Sequence, residues 1–176
     1  MRLRTLVVLF AAGLVAVGVA VAGVNRNWSV HADGSLEVPA RDSQGQGQAI
    51  FQLSPDGSSL DYKLIASNIE NVFMAHIHRE APGVNGPIVV WLYPSTAVAP
   101  GPLGAGRTDG VLVDGTITGV DLVGPLAGQP LSALVDAMRN GNAYVNFHTN
   151  DGVAPTNTGP GDFPGGEIRG NFVADE

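Results

Sequence analysis

The residues of this 176-residue chain best suited to chemistry are its four histidines, His31, His76, His78 and His148. His76 and His78 form a His-x-His pair. On a strand, such a pair leaves one face with backbone positions about 7 Å apart, a spacing that suits joint coordination of a metal ion. Imidazole is the commonest biological metal ligand, and the chain has no cysteine, so a site built here is rich in nitrogen and free of thiolate. That donor set suits Cu(II) or Zn(II) rather than iron–sulfur chemistry. The competing reading is that these histidines hold loops by hydrogen bonds, and spacing alone does not decide between the two.

The elements that must position these side chains are short. Runs of period-two alternation, separated by clusters of Gly, Pro, Asn and Asp, predict an antiparallel β-sandwich or barrel. Eight strands are expected, at Trp28–Ala32, Gln48–Leu53, Leu60–Ala66, Val72–His78, Pro87–Tyr93, Val111–Thr118, Ala143–Thr149 and Glu167–Val173. Leu131, Leu134, Val135 and Met138 share one helical face within Pro130–Asn140, with Gly141 behind them, and predict one short helix that caps the core. Strand parity then sorts the faces. Phe73, Ala75 and Ile77 point to the core, and His76 and His78 point away from it. Val145 and Phe147 point in, leaving Tyr144, Asn146 and His148 opposite. Ile168 and Phe172 point in, leaving Glu167, Arg169 and Asn171 out, and Val30 opposes His31. All four histidines therefore fall on the face away from the core. If their strands are neighbours, three or four imidazoles meet in one surface cluster.

Glu167 and Arg169 share that face. Their ordinary roles are a cross-strand pair or hydrogen bonds to the long 150–166 loop; a functional role for Arg169 is to draw a small anion toward a neighbouring metal. Nine Lys and Arg against sixteen Asp and Glu give a net charge of −7, which argues against nucleic acid as partner and favours cations. The abundant glycine forms no Walker, Rossmann or nucleophile-elbow pattern.

The N-terminus reads as an export signal over residues 1–22: Arg2 and Arg4, then the apolar run Leu6–Val21, then Ala20-Val21-Ala22 as a small-x-small cleavage pattern. Cleavage removes both arginines and takes the net charge to −9. The alternative is an uncleaved membrane anchor, since about 20 apolar residues can span a bilayer. Either reading places the folded part outside the cytoplasm, as a periplasmic, secreted or anchored domain at 30–174 behind a linker at 23–29.

A series of motifs carries a family resemblance. Leu36-Glu37-Val38-Pro39, Gly47-Gln48-Ala49, Leu60-Asp61-Tyr62-Lys63-Leu64, Ala75-His76-Ile77-His78, Asn85-Gly86-Pro87-Ile88-Val89-Val90, Tyr144-Val145-Asn146-Phe147-His148-Thr149 and Gly165-Gly166-Glu167-Ile168-Arg169-Gly170 occur in the order that resembles the CHRD (chordin-type) domain. The resemblance covers about residues 30–174 and implies an extracytoplasmic, immunoglobulin-like Greek-key β-sandwich. It implies little about activity. The order His76, His78, His148, Arg169 is also distantly similar to copper/zinc superoxide dismutases, whose His-x-His strand and later histidine bind copper and whose arginine guides superoxide. No histidine lies between His78 and His148, so the bridging ligand and zinc subsite of those enzymes have no counterpart.

Three functions follow as expectations. The first is an exported, non-enzymatic domain that binds a transition metal, copper before zinc, through His76, His78 and His148, with His31 as a candidate fourth ligand. The second is a copper-only dismutase-like redox enzyme in which Arg169 steers the anion. The third is an adhesion module with an extracellular protein partner.

Overall fold

The structure is a computed structural model and describes residues 25–175. The proposed leader lies outside the described residues. Among those described, no helix is long and apolar enough to cross a membrane.

All eight expected strands form: β1 (Asn27–Asp33), β2 (Gln46–Leu53), β3 (Leu60–Glu70), β4 (Val72–His78), β5 (Ile88–Tyr93), β6 (Arg107–Ile117), β7 (Tyr144–Thr149) and β8 (Ile168–Asn171). The one α-helix among the described residues, α1 (Leu131–Arg139), buries Leu131, Leu134, Val135 and Met138 against the core, as its periodicity requires. β1 starts at Asn27, inside the segment expected to be a linker, because Trp28 is a core residue.

The strands make one antiparallel sheet in the order β5-β4-β7-β8-β1-β2-β3-β6. β8 and β1 share a single register pair, Asp33 with Arg169, so the sheet folds there into two layers around the core. Gly170 permits the crossing: a Cβ at that position would lie 2.5 Å from Val30 Cγ1 and collide with the His31 carbonyl. The far ends of the sheet meet as well. Tyr62 Oη of β3 donates to the Leu92 carbonyl of β5 across 2.7 Å. Pairing of β3 with β6 over the intervening β4 and β5 is the long return of a Greek-key sandwich.

In β4 the parity argument needs one amendment. Val72, Ala75 and Ile77 lie in the core, and Phe73 is buried outside it, because a register shift between Val72 and Met74 inserts a residue. From Met74 onward the alternation is regular. Met74, His76 and His78 lie opposite His148, Asn146 and Tyr144 on β7, and Asn146 lies opposite Arg169 on β8.

Candidate metal centre

β4 and β7 are hydrogen-bonded neighbours, and this adjacency brings three of the four histidines together. One candidate ligand nitrogen from each of His76, His78 and His148 lies within 4.8 Å of the others. His76 Nδ1 is 3.1 Å from His148 Nε2. Their ring centroids are 4.8 Å apart, and those of His76 and His78 are 5.6 Å apart.

The cluster faces away from the core, but it is buried rather than on the surface. His76 is 0 % exposed, His148 6 % and His78 8 %. Three segments cover it. The 79–87 loop places the Gly86 carbonyl 2.9 Å from His78 Nδ1, and the 150–166 loop places the Pro164 carbonyl 2.8 Å from His148 Nδ1. The segment after β1 adds the buried Glu37, and Arg41 whose Nε donates to the Gly166 carbonyl.

These contacts fix the tautomers. A carbonyl oxygen only accepts, so His78 and His148 each carry their proton on Nδ1 and present an Nε2 lone pair. A metal-binding imidazole usually donates its other ring N–H to a carbonyl in this way, which fixes the ring's orientation. His78 Nε2 and His76 Nε2 are buried without any hydrogen-bond partner. Burial also keeps the rings neutral, the form that binds metal. It lowers His76 to about 2, helped by His148 and His78; it lowers His148 to about 4 against the pull of the Pro164 carbonyl; and it lowers His78 against that of Gly86. Three neutral imidazoles, each with a nitrogen within 4.8 Å of the others and two with an unpaired Nε2, fit a divalent transition metal.

Arg169 serves the loops. It is fully buried. Its Nε donates to Asn171 Oδ1, its Nη1 to Asn85 Oδ1, and its Nη2 to the carbonyls of Ala81 and Val84. Its guanidinium carbon lies 3.4 Å from the centroid of the Tyr144 ring, which stacks on His78 at 4.8 Å and 7°. No solvent face remains from which the guanidinium could draw an anion. Glu167 does what its position suggested for a loop anchor: its carboxylate accepts from Ser43 Oγ, Thr149 Oγ1 and the Gly161 amide.

The structure does not bring His31 to the cluster. It is exposed on β1, pairs with Gln48 of β2, and sits in a shallow groove with Gln46 and Ile65, because only Asp33 of that strand reaches β8. Sequence reasoning left three residues of the site without a role: Glu37, Asn146 and Tyr144. Parity had put Asn146 and Tyr144 beside His148, which was the available signal. Glu37 had none beyond its place in the first motif.

No curated protein and no solved structure matches the chain. The motifs that surround the site, from Glu37 through the two histidine strands to Arg169, lie within residues 28–172, and over that span the sequence matches the CHRD domain family model; the chain belongs to the CHRD domain family.

Proposed function

We propose that this domain is an exported metal-binding module that holds a transition metal, copper before zinc, through His76, His78 and His148. CHRD membership supports an extracellular or periplasmic setting. One observation carries the metal reading: buried imidazole nitrogens converge within 4.8 Å, and those of His76 Nε2 and His78 Nε2 have no hydrogen-bond partner. A buried polar atom left unpaired costs about 1–3 kcal/mol, so a cluster of them persists where something else completes it. Imidazole donors suit copper, which also stands highest in the usual order of divalent affinities. Burial of Arg169 removes the feature that would favour a dismutase, so binding without turnover is the function the site supports best.

The test is calorimetric titration of the domain with Cu(II) and Zn(II). One equivalent of Cu(II) should bind, more tightly than Zn(II), and His78→Ala or His148→Ala should weaken it by more than the ten- to hundredfold typical of losing an outer-shell partner. Trp91, whose ring lies 4.3 Å from that of His76, should lose fluorescence as copper enters. Absence of stoichiometric uptake by the folded wild-type domain would reject the reading.

A further inference from the structure

The three histidines leave one polar contact that hydrogen bonding does not explain. Asn146 Oδ1 lies 3.0 Å from His148 Nε2. His148 Nδ1 donates to the Pro164 carbonyl, so in the neutral ring Nε2 offers a lone pair, and a lone pair is what the amide oxygen offers in return. Two acceptors face each other in a buried site. Turning the amide by 180° would relieve the contact by presenting Nδ2 to the imidazole, so something must oppose that turn.

Glu37 supplies the opposition. Its carboxyl is buried, 6 % exposed, and adjoins the Asn146 side chain. A Cβ at Gly166, where φ is +123°, would sit 2.5 Å from Glu37 Oε1 and 3.0 Å from Asn146 Nδ2, which places carboxylate and amide nitrogen together over that glycine. The amide N–H thus faces an acceptor, and turning it would set Oδ1 against the carboxylate oxygens. Glu37 Oε1 is buried without a hydrogen-bond partner and so is free to accept the amide N–H, and Arg169 lies close enough to act on the carboxyl electrostatically. The carboxylate therefore biases the amide so that its oxygen faces the imidazoles.

We propose that Asn146 Oδ1 is the fourth donor of the metal centre, making a three-nitrogen, one-oxygen set, and that Glu37 is the positioning residue that keeps the oxygen turned inward. This rests on the metal-binding reading above. An ion between the facing lone pairs turns a repulsive contact into two bonds, and a Glu37 oxygen that accepts the amide N–H polarises the amide toward the cation. An amide oxygen is a harder donor than a fourth imidazole and keeps the site suited to divalent ions.

The experiment compares Cu(II) binding and the Cu(II) electron paramagnetic resonance spectrum of the wild-type domain with Asn146→Leu, Asn146→Asp, Glu37→Leu and Glu37→Gln, each first shown folded by its thermal melt. Asn146→Leu should weaken Cu(II) by ten- to hundredfold and change the spectrum, while Asn146→Asp, which keeps an oxygen at the position, should retain tight binding. Glu37→Leu should weaken binding by about tenfold, and Glu37→Gln, whose amide oxygen can still accept the Asn146 N–H, should recover most of the loss. Wild-type binding with an unchanged spectrum and affinity in Asn146→Leu would overturn this proposal and leave the histidine site standing. Loss in Asn146→Leu without recovery in Glu37→Gln would remove Glu37 from its role. A wild-type domain that binds no copper would overturn both proposals together. If Asn146→Leu does not fold, the spectrum of Asn146→Asp decides: a signal identical to wild type excludes the side-chain oxygen as ligand.

Discussion

The two layers of the sandwich apply the same alternation to different ends. In β2 and β3 one face is core and the other is wet: Ala49, Phe51, Leu60, Tyr62 and Leu64 are buried, while Gln48, Gln52, Asp61 and Lys63 are exposed. In β4 and β7 both faces are closed. All six residues of β7 are buried, as are His76 and His78. Loops make the difference, since the 79–87 and 150–166 segments fold back over the second layer and seal its outer face with polar side chains. A sheet face covered by loops instead of water must satisfy its polar groups internally, and that requirement creates the carbonyl-bound imidazoles, the saturated Arg169 and the Glu167 anchor. The contrast predicts that polar residues on the covered face carry far more energy than those on the open one.

The largest difference should appear at the two cations. Arg169→Ala removes a fully buried side chain and its donors to four partners and should destabilise the domain by about 3 kcal/mol, as breaking a buried hydrogen-bond network does. Lys63→Ala, on the exposed face of β3, should stay within about 0.5 kcal/mol. Urea denaturation of the two variants measures both, and equal effects would erase the distinction between the layers.

Acid should act on the covered layer next. His76, His78 and His148 have folded pKa values below the unfolded value of about 6.5, so the unfolded chain binds more protons as pH falls through 6.5 and the fold loses stability. Glu37 works in the opposite sense. Burial raises it to about 7, so it favours the fold below its unfolded value of about 4.5 and loses that contribution as pH rises toward 7. Between pH 6.5 and 4.5 His76 and His148 against Glu37 leave a net of one more proton on the unfolded chain, and His78 adds to it in the same direction, so the metal-free domain loses at most about 2.7 kcal/mol per pH unit. Denaturation midpoints measured at pH 7, 6 and 5 should fall accordingly. On the proposed metal-binding reading, retention of neutral rings in the fold predicts that Cu(II) uptake persists below pH 6, where exposed imidazoles would protonate.

Much of this was legible in the residues. Period-two alternation located eight strands, and its parity put His76, His78, His148, Asn146 and Arg169 on one face. Two things were not legible. Adjacency of β4 and β7, separated by 65 residues of chain, depends on which strand pairings bury the most core, and no local pattern encodes that choice. Burial of the second face depends on loop paths, which glycine- and proline-rich segments leave open. Hence a cluster expected at the surface is sealed, Arg169 is enclosed so that only the hydrogen-bonding one of its two readings is left, and Glu37, which arrives from the turn after β1, was unassigned.

Glu167→Ala tests whether the loop cover is what organises the site. Its carboxylate ties Ser43, Thr149 and the Gly161 amide together beside β8. Losing it leaves buried donors unpaired and should cost about 2–3 kcal/mol. It should also loosen the loop that supplies the Pro164 carbonyl to His148, so Cu(II) affinity should fall along with protection of the 150–166 loop from proteolysis. A stability loss with unchanged copper affinity would show that the loop does not position His148.

The smallest effect is expected at His31, and it is the sharpest check on the difference between the layers. His31 is the one histidine on the wet face, opposite Gln48, with no imidazole neighbour. It is of the same residue type as the ligands and occupies the equivalent side of its strand, so composition and parity cannot tell it from them. Only the fold can, because β1 meets β8 solely at Asp33 and Arg169 and its outer face has no covering loop. His31→Ala should therefore leave Cu(II) stoichiometry and affinity unchanged and shift stability by no more than about 0.5 kcal/mol. A measurable loss of copper affinity would mean that copper is held at the open face of β1, and the covered pocket would no longer account for the site.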